Sequence, residues 1–127
     1  MESRPRRLVV CDDDESVRQI VTLLATKAGY EIAGEAANAL EAEALVTHVK
    51  PHVLVLDLAL TGISGLDVIS SLREAAPETT IIVFTAFDTM GGLADRAGAF
   101  AVVRKDQPGK LEDALTRART ASTAVLP

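Results

Sequence analysis

Aromatic residues are nearly missing from this 127-residue chain: they make up 3% of it, and tryptophan is absent. Without them there is no row of rings on which single-stranded nucleic acid could stack. The core must be assembled from Val, Ile, Leu and Ala. Cysteine is almost absent too. A single Cys11 cannot form an internal disulfide, which fits a reducing compartment and predicts a cytoplasmic protein. Cys11 itself reads as a small buried hydrophobe rather than a redox sensor. Positive charge is in deficit. A net charge of −5 argues against direct binding of DNA or RNA by this segment. No apolar run approaches the roughly 18 residues that would span a membrane. The short run after Arg4, Arg6 and Arg7 breaks at Asp12, too early for a signal peptide.

What the chain does have is aliphatic material in regular alternation. Apolar residues make up 48%, ample for one core and one domain over residues 1–127. Short β-branched runs predict strands at residues 8–11, 30–36, 53–56, 81–84 and 100–103. Between them the spacing turns helical. Val17, Ile20, Val21 and Leu24 share one face, with Gly29 placed to end that helix. Asn38 with Glu41 three residues on reads as a capping box opening a second helix through Leu40 and Leu45 to about Val49, with Pro51 as its breaker. Ser64 with Asp67 opens a third, closed by Pro77. A poorer fourth helix is expected over residues 89–98, with Gly91 and Gly92 in its first turn, and a last one runs from Leu111 toward Ala124. Five strands alternating with five helices predict an α/β fold, a parallel sheet covered by helices on both faces. The run Val53-Leu54-Val55-Leu56, apolar on both faces, should be a central strand.

In such a sheet, chemistry gathers beyond the carboxyl ends of the strands. The first strand runs into Asp12-Asp13-Asp14 and the third into Asp57. Two like charges repel by about 4 kcal/mol at about 4 Å in an effective dielectric of about 20. Carboxylates brought together at that cost suit a hard divalent cation. Thr85 follows the fourth strand and Lys105 the fifth, so a hydroxyl and an ammonium join the carboxylates on one rim. Asp14 and Glu15 read as favourable charges at the first helix's amino end. His48 and His52 fall at the opposite end of the third strand and read as surface or edge residues, not ligands.

These motifs resemble the receiver domain of two-component response regulators, over nearly the whole chain. They are Val9-Val10-Cys11-Asp12-Asp13-Asp14 with Val17-Arg18, Val55-Leu56-Asp57 through Gly65, Val83-Phe84-Thr85-Ala86, and Arg104-Lys105-Asp106. The resemblance implies a flavodoxin-like, doubly wound sheet of order 2-1-3-4-5. It implies a signalling domain rather than an enzyme, with Asp57 accepting a phosphoryl group from a sensor histidine kinase or phosphotransfer protein. Asp12, Asp13, Asp57 and the Ala59 backbone carbonyl would hold Mg²⁺, with Mn²⁺ as a substitute. Lys105 would pair with Asp57 and then with a phosphate oxygen, and the Thr85 hydroxyl would couple phosphorylation to movement of the segment after the fourth strand. Homodimerisation or partner docking would use the fourth helix, fifth strand and fifth helix, a face including Asp95, Arg96, Arg104, Glu112 and Arg117. The chain is either a stand-alone regulator or the receiver of a longer protein.

The sequence also departs from that family. The aromatic residue usual three positions before the lysine is Val102, so the switch must work with a smaller rearrangement of Thr85 or through Phe87 or Phe100. The proline usual four positions after the acceptor is Thr61. Asp106 stands where a proline often follows the lysine, as in members that carry a helix-turn-helix output domain, and so hints at transcription regulation. Ala59 and Phe87 occupy positions that often orient a hydrolytic water, which predicts slow autodephosphorylation. Three other readings stay open. A haloacid-dehalogenase-type phosphatase wants a second Asp where Ala59 stands, flavin binding would set a phosphate against three aspartates, and a non-phosphorylated interaction module would have no need of the acidic and basic set.

Overall fold

The structure, a computed structural model, describes residues 5–59, 65–86 and 98–124. Five strands form one parallel sheet: β1 (Arg6–Cys11), β2 (Tyr30–Ala36), β3 (Val53–Leu56), β4 (Thr80–Thr85) and β5 (Ala101–Arg104). Their order is β2-β1-β3-β4-β5, the doubly wound arrangement expected, with β3 at the centre. Four helices lie among the described residues: α1 (Glu15–Lys27), α2 (Ala39–Val49), α3 (Gly65–Ala75) and α4 (Pro108–Ala124). The further helix expected over residues 89–98 falls almost wholly outside the described residues, as do Thr61, Ser64, Phe87, Asp95 and Arg96.

Successive strand residues point to opposite faces, and each face has its own core. Val9, Cys11, Leu54, Leu56, Ile81 and Val83 pack with α2 and α3. Leu8, Val10, Val53, Val55, Ile82 and Phe84 pack with α1 and α4. Both faces of β1, β3 and β4 are therefore dry, which is why these strands read as continuous apolar runs.

The elements begin and end for local reasons. Asp14 caps α1, its Oδ1 accepting from the Ser16 N–H at 2.8 Å, so its role is a cap hydrogen bond as well as a favourable charge. Asn38 Oδ1 accepts from the Glu41 N–H at 2.9 Å, and the Glu41 carboxylate accepts from the Ala37 N–H at 2.8 Å; this is the capping box, shifted one residue outward on its return bond. After α1, Gly29 turns the chain at φ +94°, where a side chain would be strained. The second helix ends at Val49, as expected, ahead of Pro51. Lys50 adopts a left-handed conformation at φ 50°, and the Arg7 guanidinium donates to the carbonyls of Val49 and Lys50. In β2 the pairing with β1 slips between Leu8 and Val9, so Ala33 is bulged and Gly34 comes opposite Val9. A Cβ on Gly34 would stand 3.1 Å from both methyl groups of Leu45 on α2.

Boundaries differ from the sequence expectation in three strands, β1 at its start and β4 and β5 at both ends. β1 begins at Arg6, because Arg6 already pairs with Tyr30. Thr85 belongs to β4, paired with Arg104, instead of following the strand. β5 starts at Ala101, leaving Phe100 before the strand, where Arg117 of α4 lies 5.8 Å from its ring centre. Val102 packs on the α2 and α3 side, whereas Phe100 is partly exposed. His48 is exposed, but His52 is half-buried and bonded in the sheet: its Nδ1 accepts from the Arg7 N–H at 2.9 Å while its own N–H donates to the Arg7 carbonyl.

Candidate functional site

Register brings the site together. Cys11 of β1 pairs with Leu56 of β3, so the next residues, Asp12 and Asp57, leave the sheet side by side. Each is still held by a last ladder bond: the Asp12 N–H donates to the Ala36 carbonyl at 3.0 Å, and the Asp57 N–H to the Cys11 carbonyl at 3.1 Å. Lys105 follows β5 in the same way, its N–H donating to the Thr85 carbonyl at 2.8 Å. From there its side chain reaches across the ends of β4 and β3. Its Nζ lies 2.7 Å from Asp12 Oδ2 and 3.2 Å from Asp57 Oδ2.

The carboxylates are held on their other oxygens as well. Asp12 Oδ1 accepts from the Asp14 N–H at 2.9 Å, and Asp57 Oδ1 from the Ala59 N–H at 3.1 Å. Asp12 and Asp57 are almost fully buried, at 2% and 3% exposure, whereas Asp13 is exposed. Thr85 is fully buried beside them. Buried hydroxyls also lie elsewhere: Thr79, at the opposite end of the sheet, donates to the Pro51 carbonyl, and Tyr30 to the Leu115 carbonyl. The buried carboxylates among the described residues, Asp12 and Asp57, are both on this rim. One carboxylate oxygen from each of Asp12, Asp13 and Asp57 lies within 4.8 Å of the others.

Burial and charge pull against each other here. Burial raises the Asp12 carboxyl above its ordinary value, the nearby Asp57 charge adds to this, and the hydrogen bonds from Lys105 and Asp14 only partly offset it. Burial by itself would lower the Lys105 ammonium. The hydrogen bond to Asp12 and the charges of Asp57 and Asp12 outweigh that and hold Lys105 above its usual value. Burial, then the charges of Asp12, Asp57 and Glu41, push the Cys11 thiol up to about 12, so it stays a protonated apolar filler. The cluster carries three carboxylates against one ammonium. Its donors are all oxygens, and the negative excess fits a hard divalent cation.

Two partners of this rim were not evident from strand-end reading. Arg18, one turn into α1, donates from Nη1 to the Asp12 backbone carbonyl at 2.7 Å and from Nε to Glu35 Oε1 of β2 at 3.1 Å. Arg18 stands in the sequence motif, but nothing in the periodicity marks Glu35, whose strand position only the bulged register defines.

The family described as "Response regulator receiver domain" matches residues 8–116 of this chain. The chemotaxis protein CheY of Thermotoga maritima is 30% identical over 115 residues, covering 88% of this chain and 96% of its own. A protein-glutamate methylesterase/protein-glutamine glutaminase of Rhizobium johnstonii is 33% identical over 115 residues, covering 86% of this chain and 33% of its own length. The chain is therefore similar to nearly all of the first and to about a third of the second. Among solved structures, a two-component response regulator of the LuxR family from Aurantimonas sp. SI85-9A1 superposes with a TM-score of 0.84 at 29% identity, covering 93% of this chain and 87% of that one.

Proposed function

Since this chain belongs to the response regulator receiver family, we propose that it is a phosphorylation-activated switch with Asp57 as its phosphoacceptor. An Asp57 carboxylate oxygen forms the new O–P bond as the P–N bond of a kinase or phosphotransfer protein's phosphohistidine breaks. The electron pair of the broken bond stays on the imidazole nitrogen. Most of the work is positioning and charge. The observation that carries this reading is the Lys105 ammonium lying between two buried carboxylates from different strands, 2.7 Å from one and 3.2 Å from the other. It supports a site already arranged for extra negative charge, where Lys105 follows the phosphoryl oxygens as a point charge.

Asp12, Asp13, Asp57 and the Ala59 carbonyl would hold Mg²⁺, with Mn²⁺ as a substitute. When bound, the ion supplies positive charge against the transferring phosphoryl oxygens. Thr85, buried at the end of β4, turns its hydroxyl to the new phosphate and carries the change into the segment that follows. A phosphate's added charge and acceptor oxygens are sufficient to reorder a neighbouring loop. The output surface, for a second copy or another partner, includes Arg104, Glu112 and Arg117 beside β5 and α4. The setting is the cytoplasm. No described helix is long and apolar enough to cross a membrane.

The test is intact mass after incubation with acetyl phosphate and Mg²⁺, with Asp57→Asn alongside. The parent gains one phosphoryl group and the variant gains none. Ala59 offers no polar side chain to orient water, so the added mass decays slowly; a lifetime of only seconds would overturn that part. Equal labelling of parent and Asp57→Asn would remove Asp57 as acceptor. A folded parent that stays unlabelled by both acetyl phosphate and phosphorylated kinases would move the reading to an interaction module that works without phosphorylation.

A further inference from the structure

Arg18 is a cation placed at the edge of a cation site. Its side chain is 17% exposed, and its guanidinium donates to two acceptors. One, to Glu35, is an ion pair whose partner is half-exposed, and such pairs contribute little to stability. The other is to the backbone carbonyl of Asp12 at 2.7 Å, short for a guanidinium to a neutral acceptor. That carbonyl lies beyond the last ladder bond of β1, at the peptide joining Asp12 to Asp13. Strand pairing fixes the Asp12 N–H, which donates to Ala36, but nothing in the sheet fixes the plane of the next peptide.

The rest of the turn is tied at its far end. The Asp14 N–H donates to Asp12 Oδ1, Asp14 caps α1 through Ser16, and the Arg18 N–H donates to the Asp14 carbonyl at 3.1 Å. The Asp12–Asp13 peptide lies inside the ring that the Asp14 N–H to Asp12 Oδ1 bond closes, and Arg18 adds a hold on its carbonyl oxygen from α1, with Glu35 of β2 as a second anchor. Rotating that peptide would swing the exposed Asp13 carboxylate away from Asp12 and Asp57, because Asp13 has no burial to hold it.

We propose that Arg18 is a positioning residue for the divalent cation: its guanidinium locks the Asp12–Asp13 peptide so that both carboxylates face the site together. This rests on the reading of Asp12, Asp13 and Asp57 as the cation's carboxylates. The sign of the effect separates the proposal from plain electrostatics. As a mere positive charge, Arg18 repels a divalent cation, and removing it would tighten binding. As a positioning group, removing it weakens binding despite the lost repulsion.

The experiment is calorimetric titration of the metal-free full chain with MgCl₂ at constant ionic strength. The proteins are the parent, Arg18→Met, which keeps the apolar stem and loses the donors, and Arg18→Lys, which keeps the charge and one reach. Melting temperatures without metal accompany each titration. Groups that orient metal ligands typically change affinity by roughly ten- to a hundredfold when removed, and a weakening in that range is expected for Arg18→Met. Arg18→Lys falls between it and the parent. In an Asp13→Asn background the loss on Arg18→Met shrinks, since the carboxylate it aims has gone. Equal or tighter Mg²⁺ binding by a folded Arg18→Met overturns the proposal, as does a lowered melting temperature with unchanged affinity. Should Arg18→Met not fold, parent-like affinity in Arg18→Lys overturns it as well. A parent that takes up no Mg²⁺ overturns the cation reading itself, and that outcome is separate from any difference between variants.

Discussion

His52 holds the amino end of the sheet together by remaining neutral. Its Nδ1 accepts the Arg7 N–H, which a protonated imidazole cannot do. Burial first, then the charges of Arg6 and Arg7, lower its pKa below 6.5. A depressed folded pKa means that the unfolded chain binds the proton more readily. The contribution is therefore fully present above the unfolded value, and is lost as pH falls below it toward the folded value. One net hydrogen bond is worth about 1 kcal/mol. Urea unfolding between about pH 7.5 and about pH 5.5 should show the parent losing roughly that much more stability than His52→Gln; equal losses in the two would remove this role. The carboxylates at the other end were legible from their place after apolar runs, because a strand that stops at Asp can only present it at the rim. His52 was not. Its partner is a backbone N–H from a strand forty-five residues earlier, and no local pattern records such a pairing.

At the scale of elements, α1 and α4 meet where Gly29 turns the chain. Arg119 of α4 donates to the Ala28 carbonyl at 2.8 Å and lies across Gly29, where an added Cβ would stand 2.5 Å from its Nη1. Tyr30, the next residue, donates its buried hydroxyl to the Leu115 carbonyl at 2.7 Å. Gly29→Ala is therefore strained at φ +94° and displaces the end of the Arg119 side chain, at the cost of its bond to the Ala28 carbonyl. A loss of roughly 1–3 kcal/mol is expected by chemical denaturation. In an Arg119→Ala background the backbone part of the loss should remain, because φ is unchanged. No loss in Gly29→Ala would mean that the turn tolerates a side chain. The helix stop at Gly29 and the capping box at Asn38 were readable because their signals are local. The end of α2 at Val49 was readable from Pro51 just beyond it, but the way it is made was not: Lys50 turns left-handed, and Arg7 from β1 supplies the missing donors to its last carbonyls. The bulge in β2 is a similar case: Gly34 marked an irregularity, but its position opposite Val9 depends on pairing with another strand.

For the molecule as a whole, the two ends of the sheet carry opposite demands. The amino end is closed by Arg7 and His52 through bonds already satisfied. The carboxyl end gathers Asp12, Asp13 and Asp57 against Lys105 in a chain whose net charge is already −5. Burial lifts the Asp12 carboxyl above its normal value. For this acid the folded pKa lies above the unfolded one, so the ionised form costs stability, and that cost grows as pH rises through the window above 3.8. Anything that binds the folded rim and neutralises it should stabilise the whole domain by linkage, by about 2.7 kcal/mol at a concentration near 100 times its dissociation constant. Mg²⁺ should therefore raise the melting temperature of the parent steadily across the millimolar range. Asp13→Ala should lose that response, because it removes the exposed carboxylate that faces the other two, and without metal it should melt no lower than the parent because one repulsion has gone. Monovalent salt at matched ionic strength is the control, since screening alone would help both proteins alike. A parent whose melting temperature stays flat with Mg²⁺, or an Asp13→Ala variant that gains as much as the parent, would place the rim's negative charge in some role other than holding a cation.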